Sequence, residues 1–154
     1  MPVELLGQSA EQLRELAASL GEPAYRGAQI RHPLLYLTVA EAEALDWIDQ
    51  NTPQDALVLA SPEMGLFIPA HTLRRVIYGH PFETVNGPAE EQAVRGYFEG
   101  TGPAARDFLA ERGVDYVIYG PREAALGPGP DPASAGLSPV FEDGAVIVYR
   151  VVQP

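Results

Sequence analysis

The stretch Ala56-Leu57-Val58-Leu59-Ala60 decides how the rest of the chain is interpreted. It is a short, continuous apolar run with a β-branched residue at its centre, which is typical of a strand buried on both faces. Two further runs, Val76-Ile77-Tyr78 and Val117-Ile118-Tyr119, have the same character. Strands of this kind separated by helical patterns predict a largely parallel sheet with helices on both faces.

Helical patterns flank these strands. Residues 39–50 follow Thr38, which is a good N-cap, and Glu41 stands where it completes a capping box. Residues 88–99 and 103–112 each begin at a proline and end before a glycine, as helices often do. On the helix predicted over residues 39–50, we expect the buried face to consist of Val39, Ala42, Leu45 and Ile48.

Two loops and a hairpin complete the predicted order. The segment between the first two strands is predicted as a loop. Residues 127–136, GPGPDPASAG, are also predicted as a loop, since they are too rich in proline and glycine to pack as an element. Asp143-Gly144 separates two apolar runs, which is a strong hairpin signal. The predicted fold class is α/β: a three-layer, Rossmann-like, mostly parallel sheet with a C-terminal antiparallel hairpin, preceded by an N-terminal helical segment.

The chain is divided into a helical segment, residues 1–33, and an α/β domain, residues 34–154. Helices are predicted over residues 9–20 and 23–30 of the first part. Its apolar side chains would be costly to expose, so we expect them to pack on the sheet layer or on a second copy in a homodimer. These side chains are Leu5, Leu6, Leu13, Leu16 and Leu20.

Composition excludes several classes of function. The 154 residues carry 21 acidic and 10 basic side chains, a net charge of −11, and no Cys. Without Cys there is no disulfide, no iron–sulfur cluster and no thiol nucleophile. Nucleic-acid affinity comes from clustered positive charge, so no nucleic-acid partner is expected. The longest apolar runs are far shorter than the roughly 20 residues that span a bilayer, and no signal peptide is evident; we expect no membrane insertion and a cytoplasmic chain.

Polar residues follow each predicted strand at its carboxyl end. Ligands of open α/β sheets bind beyond these ends, so the three exits should share one rim of the sheet. The ligand-binding candidates at this rim are Glu63, His80, Glu83, Thr84 and Arg122.

Several chemical interpretations of this rim stay open. His80 and Glu83 with help from Glu63 could bind a metal, or His80 could pair with either glutamate in acid–base catalysis. Ser61, His80 and Glu83 have the residue types of a triad, but no G-x-S-x-G motif surrounds the serine. Arg122 could hold an anion or pair with a nearby carboxylate. The alternative to all of these is an ordinary hydrogen-bonded rim. No catalytic residue, metal or cofactor is assigned.

Residues 34–151 resemble the C-terminal domain of polytopic bacterial membrane glycosyltransferases of the GT-C class, which use polyprenyl-phosphate sugars. The resemblance is carried by WIDQNTPQDALVLA (47–60), RRVIYGHPFET (74–84), ERGVDYVIYGPRE (111–123) and PVFEDGAVIVYRV (139–151). In that family the domain lies outside the cytoplasmic membrane, and the catalytic carboxylate belongs to the membrane portion. The resemblance therefore implies a non-catalytic accessory domain whose natural ligand is a sugar or a polyprenyl-phosphate headgroup. Leu73 departs from the family pattern, which has Gly at this turn.

Residues 5–30, LLGQSAEQLRELAASLGEPAYRGAQI, are similar to the N-terminal helical module of radical-SAM 23S rRNA adenine C2-methyltransferases. Their chemistry needs three cluster-binding Cys, which this chain lacks, so the resemblance implies at most an RNA-binding accessory module. If both resemblances hold, the chain joins two unrelated pieces near residue 31. The third interpretation is a small hydrolase or metal-dependent enzyme using His80 and Glu83.

Overall fold

The computed structural model describes residues 37–152, which form six helices and one five-stranded sheet. None of these helices combines the length and apolar character that crossing a membrane requires. The helices predicted over 9–20 and 23–30, and the packing of their leucines, lie outside the described residues. In chain order the elements are α1 (Val39–Asn51), β1 (Leu57–Leu59), α2 (Met64–Thr72), β2 (Arg75–Val76), α3 (Gly87–Glu99), α4 (Ala105–Arg112), β3 (Tyr116–Tyr119), α5 (Pro121–Leu126), α6 (Pro132–Ala135), β4 (Leu137–Asp143) and β5 (Val146–Val151).

The sheet is mixed, with the strand order β2-β1-β3-β5-β4. The central strand β1 is parallel to both β2 and β3, whereas β5 is antiparallel to β3 and β4. The predicted C-terminal hairpin is confirmed, and Gly144 in its turn has a φ of 55°. Two of the four pairings are antiparallel because the hairpin adds both of its strands to the sheet.

Helices cover both faces of this sheet. On one face, Leu59 and Val117 belong to a buried cluster with residues of α3 and α4, including Phe98 and Phe108. Side chains alternate along a strand, so Tyr116 points to the opposite face. There its ring meets Trp47 of α1 edge-on, with 6.5 Å between centroids. The strands that carry the carboxyl-end loops are therefore fixed from both sides.

Helix α1 confirms its predicted cap and part of its predicted buried face. The Thr38 hydroxyl accepts a hydrogen bond from the Glu41 amide at 3.2 Å, and the Thr38 amide donates to the Glu41 carboxylate at 2.8 Å. Val39, expected inside, is 76% exposed. Leu45 and Ile48 are buried as predicted, whereas Ala42 is half-buried and Glu41 and Ala44 are buried in addition. The buried face thus includes a charged residue, Glu41, which meets the buried arginine described below. The buried side chains are Glu41, Ala44, Leu45 and Ile48.

Two helices occupy segments that the sequence predicts as loops. Helix α2 has the sequence MGLFIPAHT, which carries a proline at position 69 and no polar face, so its pattern gives no helical period. Helix α6 lies within residues 127–136. It forms because the Asp131 carboxylate accepts from the Ser134 amide at 2.9 Å, and Ala135 supplies one small buried contact.

Leu73 ends α2 in the left-handed region, with a φ of 57°, although it is not glycine and is 80% exposed. We expect Leu73→Gly to raise the free energy of unfolding by about 0.5–1 kcal/mol. A left-handed residue with a Cβ costs roughly 1–2 kcal/mol, part of which the greater unfolded-chain entropy of glycine offsets. Urea unfolding measures the change. Leu73→Ala keeps the Cβ and serves as the control; an equal gain from alanine would contradict this account.

Candidate functional site

The crevice between the carboxyl ends of β1 and β3 is where the strand order predicts a ligand. Connections leave β1 toward β2 on one side and reach β3 on the other, and ligands of open sheets bind at such a point. In this protein the buried carboxylate of Glu123 lies there. It accepts hydrogen bonds from the Ser61 amide at 2.8 Å and from the Gly120 amide at 2.9 Å. The chain thus fills the crevice with its own carboxylate.

Burial raises the pKa of Glu123, although the hydrogen bonds from Ser61 and Gly120 act in the opposite direction. The Ser61 hydroxyl is engaged in the same cluster, where it accepts from the Met64 amide at 3.2 Å at the start of α2. In the described part of the chain, no hydrogen bond links Ser61 with His80. The contacts of this serine are those of a residue that joins β1 to α2.

Arg122 lies beside this crevice in a buried ion pair with Glu41. The two guanidinium–carboxylate distances are 2.7 and 3.2 Å, and the side chains of Arg122 and Glu41 are only 8% and 4% exposed. Glu63 approaches the same guanidinium at 3.6 Å, and the ring of Phe67 lies 5.2 Å from it. Burial alone would raise the pKa of Glu41, but hydrogen bonds from Arg122 and Thr38 outweigh it and lower that pKa.

The five candidate residues fall into two groups. Glu63 and Arg122 belong to the ion-pair cluster at the filled crevice. His80, Glu83 and Thr84 line a separate cavity of about 890 Å³ along the open edge at β2, which we call the edge groove. Its volume lies in the range of small-molecule sites. The residues lining it are Leu57, Gly65, Leu66, Pro69, Ala70, Val76, Ile77, Gly79, His80, Glu83, Thr84, Val85, Asn86, Glu90 and Arg112.

The loop between β2 and α3 shapes one wall of the edge groove. The Thr84 hydroxyl donates to the His80 carbonyl at 2.9 Å and accepts from the Gly79 amide at 3.4 Å, which closes the loop on itself. Nδ1 of His80 accepts from the Phe82 amide at 3.3 Å, so in the neutral ring the proton lies on Nε2. The Phe82 ring lies 5.6 Å from the His80 ring, tilted by 48°, and is 92% exposed.

The edge groove is also lined by three polar residues that the sequence analysis does not single out as candidates. Asn86 has a φ of 55° and stands at the N-cap of α3, yet its side chain makes no capping hydrogen bond. Asparagine at this position normally caps the helix, whereas here Asn86 lines the groove without capping. Glu90 and Arg112 form an ion pair across 22 positions of sequence. Only the packing of α3 beside α4 brings these two together, and no local pattern announces it.

Within the described residues, no assembled site supports the metal-binding interpretation or the hydrolase interpretation. Between residues 37 and 152, no group of three or more His, Asp or Glu side chains is arranged to hold a metal ion. Glu63, which was to complete a set with His80 and Glu83, lies instead against Arg122.

Comparison with known proteins identifies a family. The model of a family of unknown function (DUF6541) matches residues 10–153. The matched range includes the boundary predicted between residues 33 and 34. No curated protein matches the chain.

Proposed function

Because the chain belongs to this family of unknown function, we propose a function from its own geometry: it is a non-catalytic accessory domain that binds a carbohydrate in the edge groove. The observation that carries the proposal is the ring of Phe82, which is 92% exposed and lies 5.6 Å from the ring of His80, a residue that lines a groove of small-molecule size. Val85, which lines the groove, is 81% exposed as well, and exposed apolar surface rimmed by polar residues is typical of binding sites. The flat ring suits the apolar face of a sugar, and His80, Glu83 and Asn86 suit its hydroxyl groups.

The proposal includes descent from a membrane glycosyltransferase of the GT-C class. The sequence resemblance over residues 34–151 supports this descent. We also propose that the domain is Rossmann-like, since the order β2-β1-β3 of its parallel strands supports that relationship. The RNA-binding alternative concerns residues 5–30, which lie outside the described residues, and nothing in residues 37–152 favours it.

Titration of the ¹⁵N-labelled full chain with sugars tests the proposal. We expect amide shifts to concentrate in residues 79–86 and at Glu90. Phe82→Ala should weaken sugar binding about tenfold, because a ring packed against the sugar contributes roughly 1 kcal/mol or more to the free energy of binding. Phe82→Tyr keeps the ring and should bind normally.

Val140→Ala is the matched control, since Val140 is also exposed but lies on β4 at the far edge of the sheet. Binding that survives Phe82→Ala unchanged, or shifts that concentrate outside the groove, would contradict the assignment.

A further inference from the structure

We propose that the edge groove selects sugars that carry no phosphate, meaning uncharged hexoses or amino sugars. This inference rests on the proposed function, because it takes a carbohydrate as the occupant. It narrows the ligand from a sugar or a polyprenyl-phosphate headgroup to the sugar alone.

The charges lining the groove disfavour a phosphate. Arg112 pairs with Glu90 and its guanidinium lies 5.4 Å from the Phe108 ring, so its charge is already balanced. The exposed carboxylate of Glu83 has no hydrogen bond or ion pair to any other side chain of residues 37–152. The groove therefore keeps an uncompensated negative charge, which repels a phosphate and attracts an ammonium group.

The N-terminus of α3 offers no backbone site for a phosphate. A helix N-terminus beside a groove is the usual backbone site for phosphate, because its first amides point outward. Here those amides are used or missing. The Gly87 amide donates to the Thr84 carbonyl at 3.0 Å, and the Ala89 and Glu90 amides donate to the Asn86 carbonyl. Pro88 has no amide hydrogen, and the acidic Glu90 lies in the first turn.

The free hydrogen-bonding groups of the groove suit a sugar better than a phosphate. The Glu83 carboxylate accepts, the Asn86 amide both donates and accepts, and the His80 Nε2 donates in the neutral ring. Vicinal hydroxyl groups need this mixture of donors and acceptors, whereas a phosphate needs donors and positive charge. With Phe82 as a platform for the ring face, the groove has the chemistry of neutral-sugar recognition.

The experiment compares three probes on the full chain by NMR titration: methyl glucoside, glucosamine and glucose 1-phosphate. We expect glucose 1-phosphate to bind at least about tenfold more weakly than the other two. Glu83→Gln removes the unpaired charge at an exposed position and should reduce this difference to about threefold or less. Glu43→Gln on α1, which removes an exposed carboxylate away from the groove, should leave the difference unchanged.

The possible results distinguish failure of this inference from failure of the proposed function. Equal or tighter binding of glucose 1-phosphate overturns this inference and leaves the proposed function standing. A preference that persists in Glu83→Gln, or a loss that is equal for all three probes, overturns it as well, since Glu83 then does not discriminate by charge. No binding of any sugar overturns the proposed function and the inference together.

Discussion

Arg122→Ala is expected to lower the free energy of unfolding by about 3–5 kcal/mol, the largest effect of any single substitution at the crevice. Removing one partner of a buried ion pair leaves an uncompensated charge in a low-dielectric site, and here the Glu41 carboxylate is the group left behind. Urea unfolding at neutral pH measures the loss. Replacing both partners, in Glu41→Gln with Arg122→Met, should cost much less than the single change.

The same substitution has a pH signature. The pKa of Glu41 is lowered in the folded protein from its ordinary value of 4.5. Its ion pair therefore contributes fully above about pH 4.5, and the contribution is lost as the pH falls through the folded pKa. Wild type should lose more stability than Arg122→Ala over this interval, so the gap between them should narrow in acid. A gap that stays constant from pH 7 downward would show that packing, not charge, holds Arg122 in place.

Gly65→Ala is expected to destabilise the protein by about 3 kcal/mol, because there is no space for a methyl group. A Cβ at Gly65 would overlap the backbone carbonyl oxygen of Tyr78, and the Cα of Gly79 lies 3.5 Å from the same position. The obstacle is main chain, which cannot move without displacing α2 from the end of β2. Since Gly65 also lines the edge groove, sugar binding should weaken together with stability.

Gly96→Ala provides the matched control. Gly96 also lies in a helix, but a Cβ there meets its nearest neighbour at an ordinary 3.5 Å. That substitution should stabilise the protein by about 0.5–1 kcal/mol through helix propensity. Thermal or urea unfolding of both variants separates a steric effect from a general effect of alanine. Similar changes in the two would contradict the steric explanation.

Local chemistry explains which parts of the fold were predictable. The Thr38–Glu41 capping box, the hairpin at Asp143-Gly144 and the start of α3 near Pro88 all follow from contacts within a few residues of sequence. Helix α4, predicted to begin at Pro103, begins instead at Ala105. The sequence predicts a strand over Val76–Tyr78, whereas β2 comprises only Arg75 and Val76. After Val76 the chain leaves the sheet, and the Tyr78 carbonyl lies against Gly65. Helix α2 was missed because its formation depends on burial between α1 and β2, not on its own amphipathic period.

The candidate site shows the same division. The rule for parallel strands placed all five candidate residues near one rim, and the sequence offers no sign that they separate into two groups. Between the two groups lies the filled crevice, where Glu123 accepts hydrogen bonds from two backbone amides, Ser61 after β1 and Gly120 after β3. Sequence reasoning passed over Phe82 and Asn86 since neither belongs to a pattern, and only exposure and backbone geometry single them out.

The filled crevice has a consequence for how this domain can diversify. In folds that bind ligand at the crevice, a change of ligand preference disturbs the same residues that join the strands. Here the joining is done by Ser61 and Glu123, while the edge groove is bordered by an exposed loop whose side chains contribute little to the core. Surface substitutions of that kind usually cost less than about 0.5 kcal/mol. Ligand preference can therefore drift through exposed side chains such as Phe82, Glu83 and Val85 at almost constant stability, with the scaffold and the recognition surface evolving as separate modules.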